Sequence, residues 1–440
     1  MGKLTISGGT PVRTKPFPSW PIHDEKEVKA VTEVVKSGKW WRGAYDVGEW
    51  GGPEKIVGHS KVEEFEGKFA KYHGVKYAVA TSSGSGALDI AVKAIGIGPG
   101  DEVIVPPYTF VATATCVLQN NAIPIFVDID PDTYNIDVNR IEEAITENTK
   151  AIIPVHFGGN LTNMERICEI AEKYDLKVIE DAAHSHGVQW DGKKMAGSFG
   201  NIGMFSFQQS KNMTAGEGGI IITNNKTLAD LCFSYHHYGR IKGRPWYEFH
   251  RLGWNYRMSE LQAAVLIVQL ERLEKLNAKR TENAQYLTSR LSQIEGMKPI
   301  EINKKMTKCS YHVYIVRYNS EKFSGVHRNK FVRALVAEGI PASPGYDFPI
   351  YSNPMFLNKD FFPKDCPVGC QHYNKTINYS DFKEKCPVAE KACNEEAIWL
   401  TQNVLLGSKE DMDDIVRTVE KIKENIKELK ETKSESKKFF

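Results

Sequence analysis

The stretch NIGMFSFQQSKNMTAGEGGIIITN, residues 201–224, sets two short apolar runs on either side of a glycine-rich connection with a lysine at position 211. Apolar runs of this length bounded by turn residues read as a pair of buried strands. Lys211 then sits where a strand gives way to a turn, and its long arm can reach a ligand bound at the strand end. Taken alone, such a lysine also reads as a solvated surface residue, and the glycines permit tight turning without any chemistry.

Working back from this stretch, helical patterns alternate with short apolar strands. Residues 59–74 (HSKVEEFEGKFAKYHG) lead to YAVA, 85–98 (SGALDIAVKAIGIG) to EVIVP, and 109–121 (TFVATATCVLQNN) to IPIFVDI. AIIPVH, the MERICEIAEKYD helix and KVIED follow. This order predicts an α/β domain with a mostly parallel sheet covered by helices on both faces. Its ligands belong at the carboxyl ends of the strands.

Forward of it, residues 259–291 form one long helical pattern that leaves the large domain and enters a smaller α/β one, where YHVYIVRY predicts a strand and HRNKFVRALVAEG a helix. Residues 341–387 are loop-rich, with many Tyr, Pro and Asn. Met412, Ile415, Val419, Ile422 and Ile426 predict one last amphipathic helix, and the 430–440 tail is expected to fray. The expected organisation is an arm over 1–23, a large domain over 24–275 beginning with the helical DEKEVKAVTEVVKSG, and a smaller domain over 276–440.

Composition removes several function classes. Across 440 residues, 57 Lys plus Arg against 55 Asp plus Glu leave a formal charge of +2, which makes no electrostatic case for nucleic acid or an anionic membrane. The first residues lack the apolar run and cleavage pattern of a secretory signal, and no apolar stretch has the length of a membrane span. A cytoplasmic protein is expected. Eight cysteines, at 116, 168, 232, 309, 366, 370, 386 and 393, suit a reducing compartment. The late group Cys366, Cys370, His372, Cys386 and Cys393 lacks a paired C-x-x-C framework, so no metal is expected there.

Three segments carry candidate chemistry. TSSGSGAL, residues 81–88, lies between a strand and a helix, where Ser83, Gly84 and Ser85 can present hydroxyl and backbone donors to a phosphate. An ordinary strand-to-helix turn accounts for the same residues, and the segment has neither a dinucleotide fingerprint nor the lysine of a Walker loop. Asp181 ends KVIED, where a carboxylate can pair with a pyridine nitrogen or simply cap the following backbone. His184 follows three positions later. An amine in a desolvated pocket loses its proton easily, which suits Lys211 to Schiff-base chemistry.

These segments, together with GGTPVRTKPFPSWP, SGKWWRG, VPPYTFVAT, EDAAHSHG and GWNYRMSELQAA in order, resemble the DegT/DnrJ/EryC1/StrS aminotransferase family along nearly the whole chain. The resemblance implies the fold-type I architecture of pyridoxal 5'-phosphate enzymes acting mainly on ketosugars and cyclitols. It implies Lys211 as the Schiff-base residue and the cofactor phosphate near Gly84, Ser85 and Ser206. It further implies Phe110 against the ring face, Asp181 at the ring nitrogen and His184 near the ring hydroxyl, where relatives often have glutamine. Asn255 resembles a residue that reaches the phosphate in the neighbouring subunit, which implies a homodimer with composite active sites. Arg257 is a further candidate for an acidic donor or phosphate, and Trp40, Trp41, Tyr346 and Asp347 for the acceptor pocket.

Related dehydratases carry histidine at the position of Lys211, so its retention points to transamination. The expected reaction takes an amino group from glutamine or glutamate to a ketosugar or keto-cyclitol such as an inosose. The front segment and SFQQSK look most like inosose aminotransferases and 3-amino-5-hydroxybenzoate synthases. The alternatives are a synthase of the latter kind and a noncatalytic regulator that binds pyridoxal phosphate.

Overall fold

The computed structural model describes residues 2–45, 59–362, 366–369 and 371–432. The last eight residues of the expected frayed tail, and Cys370 of the late cysteine group, lie outside the described residues.

The large sheet is built from β1 (Tyr77–Thr81), β2 (Glu102–Val105), β3 (Ile123–Phe126), β4 (Thr149–Ile152) and β5 (Lys177–Asp181). A short hairpin, β6 (Gln189–Trp190) and β7 (Lys194–Met195), precedes its last two strands, β8 (Ile202–Ser206) and β9 (Gly219–Thr223). The order is β1-β9-β8-β5-β4-β2-β3. Only β9 runs against its neighbours, pairing antiparallel with both β1 and β8. The lysine-bearing connection is thus a turn between antiparallel partners.

Because successive side chains in a strand point to opposite faces, each strand feeds two cores. Val79, Val103, Val105, Ile179 and Ile221 pack with α3 (Gly84–Ala94) and α4 (Ala112–Gln119), which follow α1 (Glu25–Ser37) and α2 (Lys61–His73) in the chain. Ala80, Ile104, Val178, Ile220 and Ile222 pack on the other face with α2 and α5 (Met164–Lys173). Burial on both faces is why these strands read as near-continuous apolar runs.

After α6 (Lys226–His236), α7 (Glu260–Leu291) runs unbroken for 32 residues from a capping box of Ser259 and Gln262. Its first half, with Leu266 and Leu273, belongs to the core of the large sheet. Ala284, Leu287 and Leu291 in its second half pack into a separate core. That core is completed by a second sheet and by α8 (Arg328–Ala337). Of β10 (Met297–Pro299), β11 (Met306–Lys308), β12 (Val313–Tyr318), β13 (Ala342–Ser343) and β14 (Ala397–Thr401), four form an antiparallel sheet in the order β10-β12-β14-β13. β11 joins the β6–β7 hairpin instead.

Three features go beyond the sequence reading. The Tyr- and Pro-rich stretch packs on the large sheet, where Tyr351 and Phe382 sit edge-on to Phe126 with ring centroids 5.6 and 5.4 Å apart. The arm lies on the smaller core: Leu4 is fully buried in it, and Arg13 reaches Asp411 and Asp414 at 2.7 and 2.8 Å. The single closing helix expected through Ile426 is interrupted at Asn425, where Lys409–Glu424 ends and Ile426–Glu431 begins. At the break the Asn425 side chain and its backbone N–H both donate to the Lys421 carbonyl, at 2.8 and 3.2 Å, so that one side chain folds back to cap the last turn. Among the described residues no helix is long and apolar enough to cross a membrane.

Candidate active site

At the carboxyl ends of β1, β5 and β8, a cavity of about 550 Å³ opens between the large sheet and the smaller core. Of the eight residues that the resemblance implies for the cofactor, seven line it: Gly84, Ser85, Phe110, Asp181, His184, Ser206 and Lys211. Asn255 does not. It is exposed on the segment between α6 and α7, where its side-chain oxygen accepts from the Arg257 N–H at 3.4 Å.

The phosphate candidates sit where a helix begins. Ser83 is the N-cap of α3 and its hydroxyl accepts from the Gly86 N–H at 3.1 Å, so that oxygen serves the helix. The N–H groups of Gly84 and Ser85 belong to the first turn, which lacks internal acceptors and carries the positive end of the helix dipole. Glycine is required at position 84 by close approach: a Cβ there would lie 2.6 Å from the Cβ of Ser206. Gly219 obeys the same logic, since its Cβ would stand 2.4 Å from the Ser83 carbonyl oxygen. These two contacts draw the ends of β8 and β9 against the start of α3.

Asp181 is 5% exposed at the end of β5. It accepts a hydrogen bond from the Thr113 hydroxyl at 2.8 Å and from the Ala183 N–H at 3.2 Å. Burial pushes its carboxyl pKa up, while those two donors and the nearby Lys211 hold it down. Lys211 is itself partly buried. Loss of water around its ammonium pushes its pKa from 10.5 down to about 8, against the pull of Asp181. A cavity that sets a buried carboxylate beside an amine pushed down to about 8 has the ingredients of proton-transfer chemistry.

His184 is buried, and its Nδ1 accepts from the Gly158 N–H at 3.3 Å, which leaves Nε2 as the protonated nitrogen. Burial and the Lys211 charge keep its pKa well below 6.5. Its ring lies 4.1 Å from that of His312, a residue the sequence reading passed over as part of a strand. His312 has a fixed tautomer. Asn212 donates its amide to the Ser310 carbonyl at 2.6 Å, so its side-chain oxygen faces His312 Nδ1 at 3.1 Å and accepts that proton. Thr109, Thr113, Gln208, Glu217 and Trp399 are further lining residues not foreseen. A His preceding an apolar strand and hydroxyls spaced along a helix were the available signals, and each is also common in ordinary cores.

Of the residues considered for an acceptor pocket, Tyr346 lines the cavity, with its ring centroid 4.9 Å from that of Trp399. Trp40, Trp41 and Asp347 are not in its lining; Trp41 instead contributes with Arg240 and Arg257 to a separate aromatic depression. Of the late cysteines, Cys386 and Cys393 are buried as free thiols; among the described residues, which leave out Cys370, no group of three or more His, Cys, Asp or Glu is placed to hold an ion.

Comparison with known proteins gives a consistent result. Residues 21–383 match the model of the DegT/DnrJ/EryC1/StrS aminotransferase family. The chain is 36% identical over 432 residues to a putative L-glutamine:3-amino-2,3-dideoxy-scyllo-inosose aminotransferase of Streptoalloteichus tenebrarius, covering 97% of this chain and 99% of that protein. It is 35% identical over 436 residues to the L-glutamine:2-deoxy-scyllo-inosose aminotransferase of Streptomyces kanamyceticus, covering 96% of each. The crystal structure of a 3-amino-5-hydroxybenzoic acid synthase superposes with a TM-score of 0.79 at 30% identity, covering 92% of this chain and 99% of that one.

Proposed function

Because the chain belongs to the DegT/DnrJ/EryC1/StrS aminotransferase family and has its fold-type I architecture, we propose that it is a pyridoxal-phosphate-dependent aminotransferase. Its amino donor is glutamine or glutamate, and its acceptor is a ketosugar or keto-cyclitol such as an inosose. The observation that carries this reading is the pairing in one cavity of Lys211, with its amine pushed down to about 8, and the buried carboxylate of Asp181.

The donor set suits pyridoxal phosphate. Gly84, Ser85 and Ser206 offer backbone and hydroxyl donors for a phosphate, and Phe110, 58% exposed at the rim, offers a flat apolar face. Asp181 supplies an anion for a protonated ring nitrogen, and His184 supplies an N–H for a ring oxygen. Lys211 is the point of covalent attachment. When bound, the cofactor supplies an electron-withdrawing ring that delocalises the charge left at the substrate carbon.

The chain's own groups do the rest. Lys211 Nζ, half-neutral near pH 8, removes the proton from the amine-bearing carbon of the donor. In the second half-reaction it returns a proton to the former carbonyl carbon of the acceptor. Thr113 orients Asp181 through its 2.8 Å hydrogen bond and favours the ionised carboxylate against the effect of burial. Asn255 of the partner subunit completes the phosphate site in a homodimer.

Among the described residues that line the cavity Lys211 is the single Lys or Arg, whereas Thr109, Gln208, Ser210 and Tyr346 present hydroxyl and amide groups. Such a lining favours a neutral, polyhydroxylated ring over an acceptor carrying a nucleotide diphosphate. The likeness to the 3-amino-5-hydroxybenzoic acid synthase structure favours a second reading, in which the same lysine supports dehydration and aromatisation.

The test is a panel of glutamine, glutamate and other donors with inososes, nucleotide-linked ketosugars and a non-aromatic amino-substituted cyclic acid able to aromatise by loss of water, with products identified by mass spectrometry. Amination of an inosose by glutamine is the expected result. Aromatic product alone would move the assignment to the second reading. Cofactor binding with no conversion of any donor would leave a noncatalytic binder and defeat both.

A further inference from the structure

Arg280, midway along α7, is fully buried and forms no ion pair with a carboxylate among the described residues. Its Nε and Nη2 donate to the side-chain oxygen of Gln402 at 2.9 and 2.5 Å, and Nη1 donates to that of Asn277 at 2.9 Å. The guanidinium carbon lies 5.2 Å from the centroid of the Trp20 ring. A buried cation served by neutral acceptors and one aromatic ring is weak evidence for stability. It organises what surrounds it: Asn277 also donates to the His186 carbonyl at 2.8 Å, directly behind the cavity wall that carries His184.

Trp20 connects this cluster to the lysine loop. Its Nε1–H donates to the Gln209 carbonyl at 2.8 Å, two residues before Lys211. The same residue's N–H donates to the Gly216 carbonyl at 2.9 Å, and the Lys211 N–H donates to the Gln208 carbonyl at 2.9 Å, so Gln209 is the exposed corner of the turn that presents Lys211. On the other side the arm is tied to the smaller core. Asn403, just past β14, donates to the Pro18 carbonyl at 2.8 Å, and Arg13 is salt-bridged to the closing helix. Gln269 on α7 donates to the Ile22 carbonyl at 2.9 Å.

We infer that the N-terminal arm is a positioning element for Lys211: Trp20, seated on the Arg280–Gln402–Asn277 cluster, clamps the 207–216 turn and couples it to the smaller core. Trp20 is not in the cavity lining, so it acts through the loop and not on the reacting atoms. The need to hold Lys211 rests on its proposed role as the cofactor-bearing amine. The clamp itself does not depend on that role.

Two variants of the full-length chain test this. Trp20→Phe keeps a ring over Arg280 and deletes the donor to Gln209. Asn403→Ala releases the Pro18 carbonyl and leaves Trp20 and the cavity unchanged. In protein stripped of cofactor by hydroxylamine, hydrogen exchange of peptides spanning 207–218 is expected to quicken at least fivefold in Trp20→Phe and by a smaller factor in Asn403→Ala. Peptides from β2 and β4 should be unaffected. The pH midpoint for acetic anhydride labelling of Lys211 is expected to move upward from about 8 as the loosened amine gains water. With cofactor added, kcat should fall about tenfold with little change in KM for the donor. Parent-like exchange in 207–218 and parent-like labelling in both variants would overturn the inference, as would exchange that quickens uniformly through the protein. Should Trp20→Phe fail to fold, Asn403→Ala decides alone. Absence of a borohydride-trapped pyridoxyl group on Lys211 in the parent would sink the cofactor reading, while the cofactor-free comparison would still decide the clamp.

Discussion

Replacing Lys211 with methionine keeps the length and apolar volume of the side chain while removing its charge, and it should stabilise the cofactor-free protein in a pH-dependent way. Burial pushes the ammonium from 10.5 down to about 8. An amine whose pKa is lower in the folded state binds fewer protons there than in the unfolded chain, so parent stability rises with pH between the two values. The penalty is fully present below about 8 and gone above 10.5. At about 1.4 kcal/mol per pH unit the gap corresponds to about 3 kcal/mol. Residual contact with water reduces this to a working range of roughly 1–3 kcal/mol.

The assay is parallel thermal unfolding of parent and variant from about pH 7.5 to 11, a window that spans both Lys211 values. For a chain of 440 residues, an unfolding entropy of about 2.1 cal/mol/K per residue makes 1 kcal/mol worth about 1 °C. Relative to the offset measured at the alkaline end, where packing changes alone remain, Lys211→Met should melt about 1–3 °C higher near neutrality. A difference between the two proteins that stays flat across the window would refute the reasoning, because Lys211 would then titrate as an ordinary solvated amine.

Thr113→Val removes a donor that holds the Asp181 carboxyl pKa down. The acid limb of the pH–rate profile should therefore move toward higher pH, by roughly half a unit to one unit for a hydrogen bond worth about 1 kcal/mol. Gly84→Ala places a methyl 2.6 Å from the Ser206 Cβ, and equilibrium dialysis should show cofactor affinity weakened at least about tenfold, with the fold retained by circular dichroism. Arg328 is 3% exposed and donates to the carbonyls of Pro344, Ala392, Cys393 and Ala397, which tie together the segments bearing Tyr346 and Trp399. Arg328→Met should cost about 3 kcal/mol or more through orphaned acceptors, read as a lowered denaturation midpoint, and Lys at that position should not rescue it because its point charge cannot span four carbonyls.

How much could be read in advance depended on whether a signal was local. The β8–turn–β9 unit was legible because two five-residue apolar runs flank a glycine-rich turn, whereas the role expected of Lys211 came from the resemblance of several motifs in order and not from that pattern alone. Asp181 was legible as the polar residue ending a buried strand. The inversion of β9 and its place beside β1 were not, since nothing local specifies which distant strand a fully apolar run will pair with. Thr113 and His312 escaped for the same reason: each earns its place through a partner far along the chain, Asp181 for the one and Asn212 for the other. Arg280 was invisible as a buried group because long amphipathic helices ordinarily carry arginine on their wet face. The break at Asn425 was hidden by the uninterrupted apolar spacing on either side of it.

The pairing of Tyr77 with Thr223 also bears on how the protein is made. The first strand to leave the ribosome has no sheet partner until β9 emerges, which at ordinary translation speeds is a wait of roughly 7–30 s. Throughout that interval YAVAT is an unsatisfied strand with apolar side chains, the kind of segment that chaperones bind and that misassembles when they are scarce. The inverted strand that places the lysine therefore also delays closure of the sheet, and newly made chains should depend on holdase capacity until the second half of the large sheet is complete.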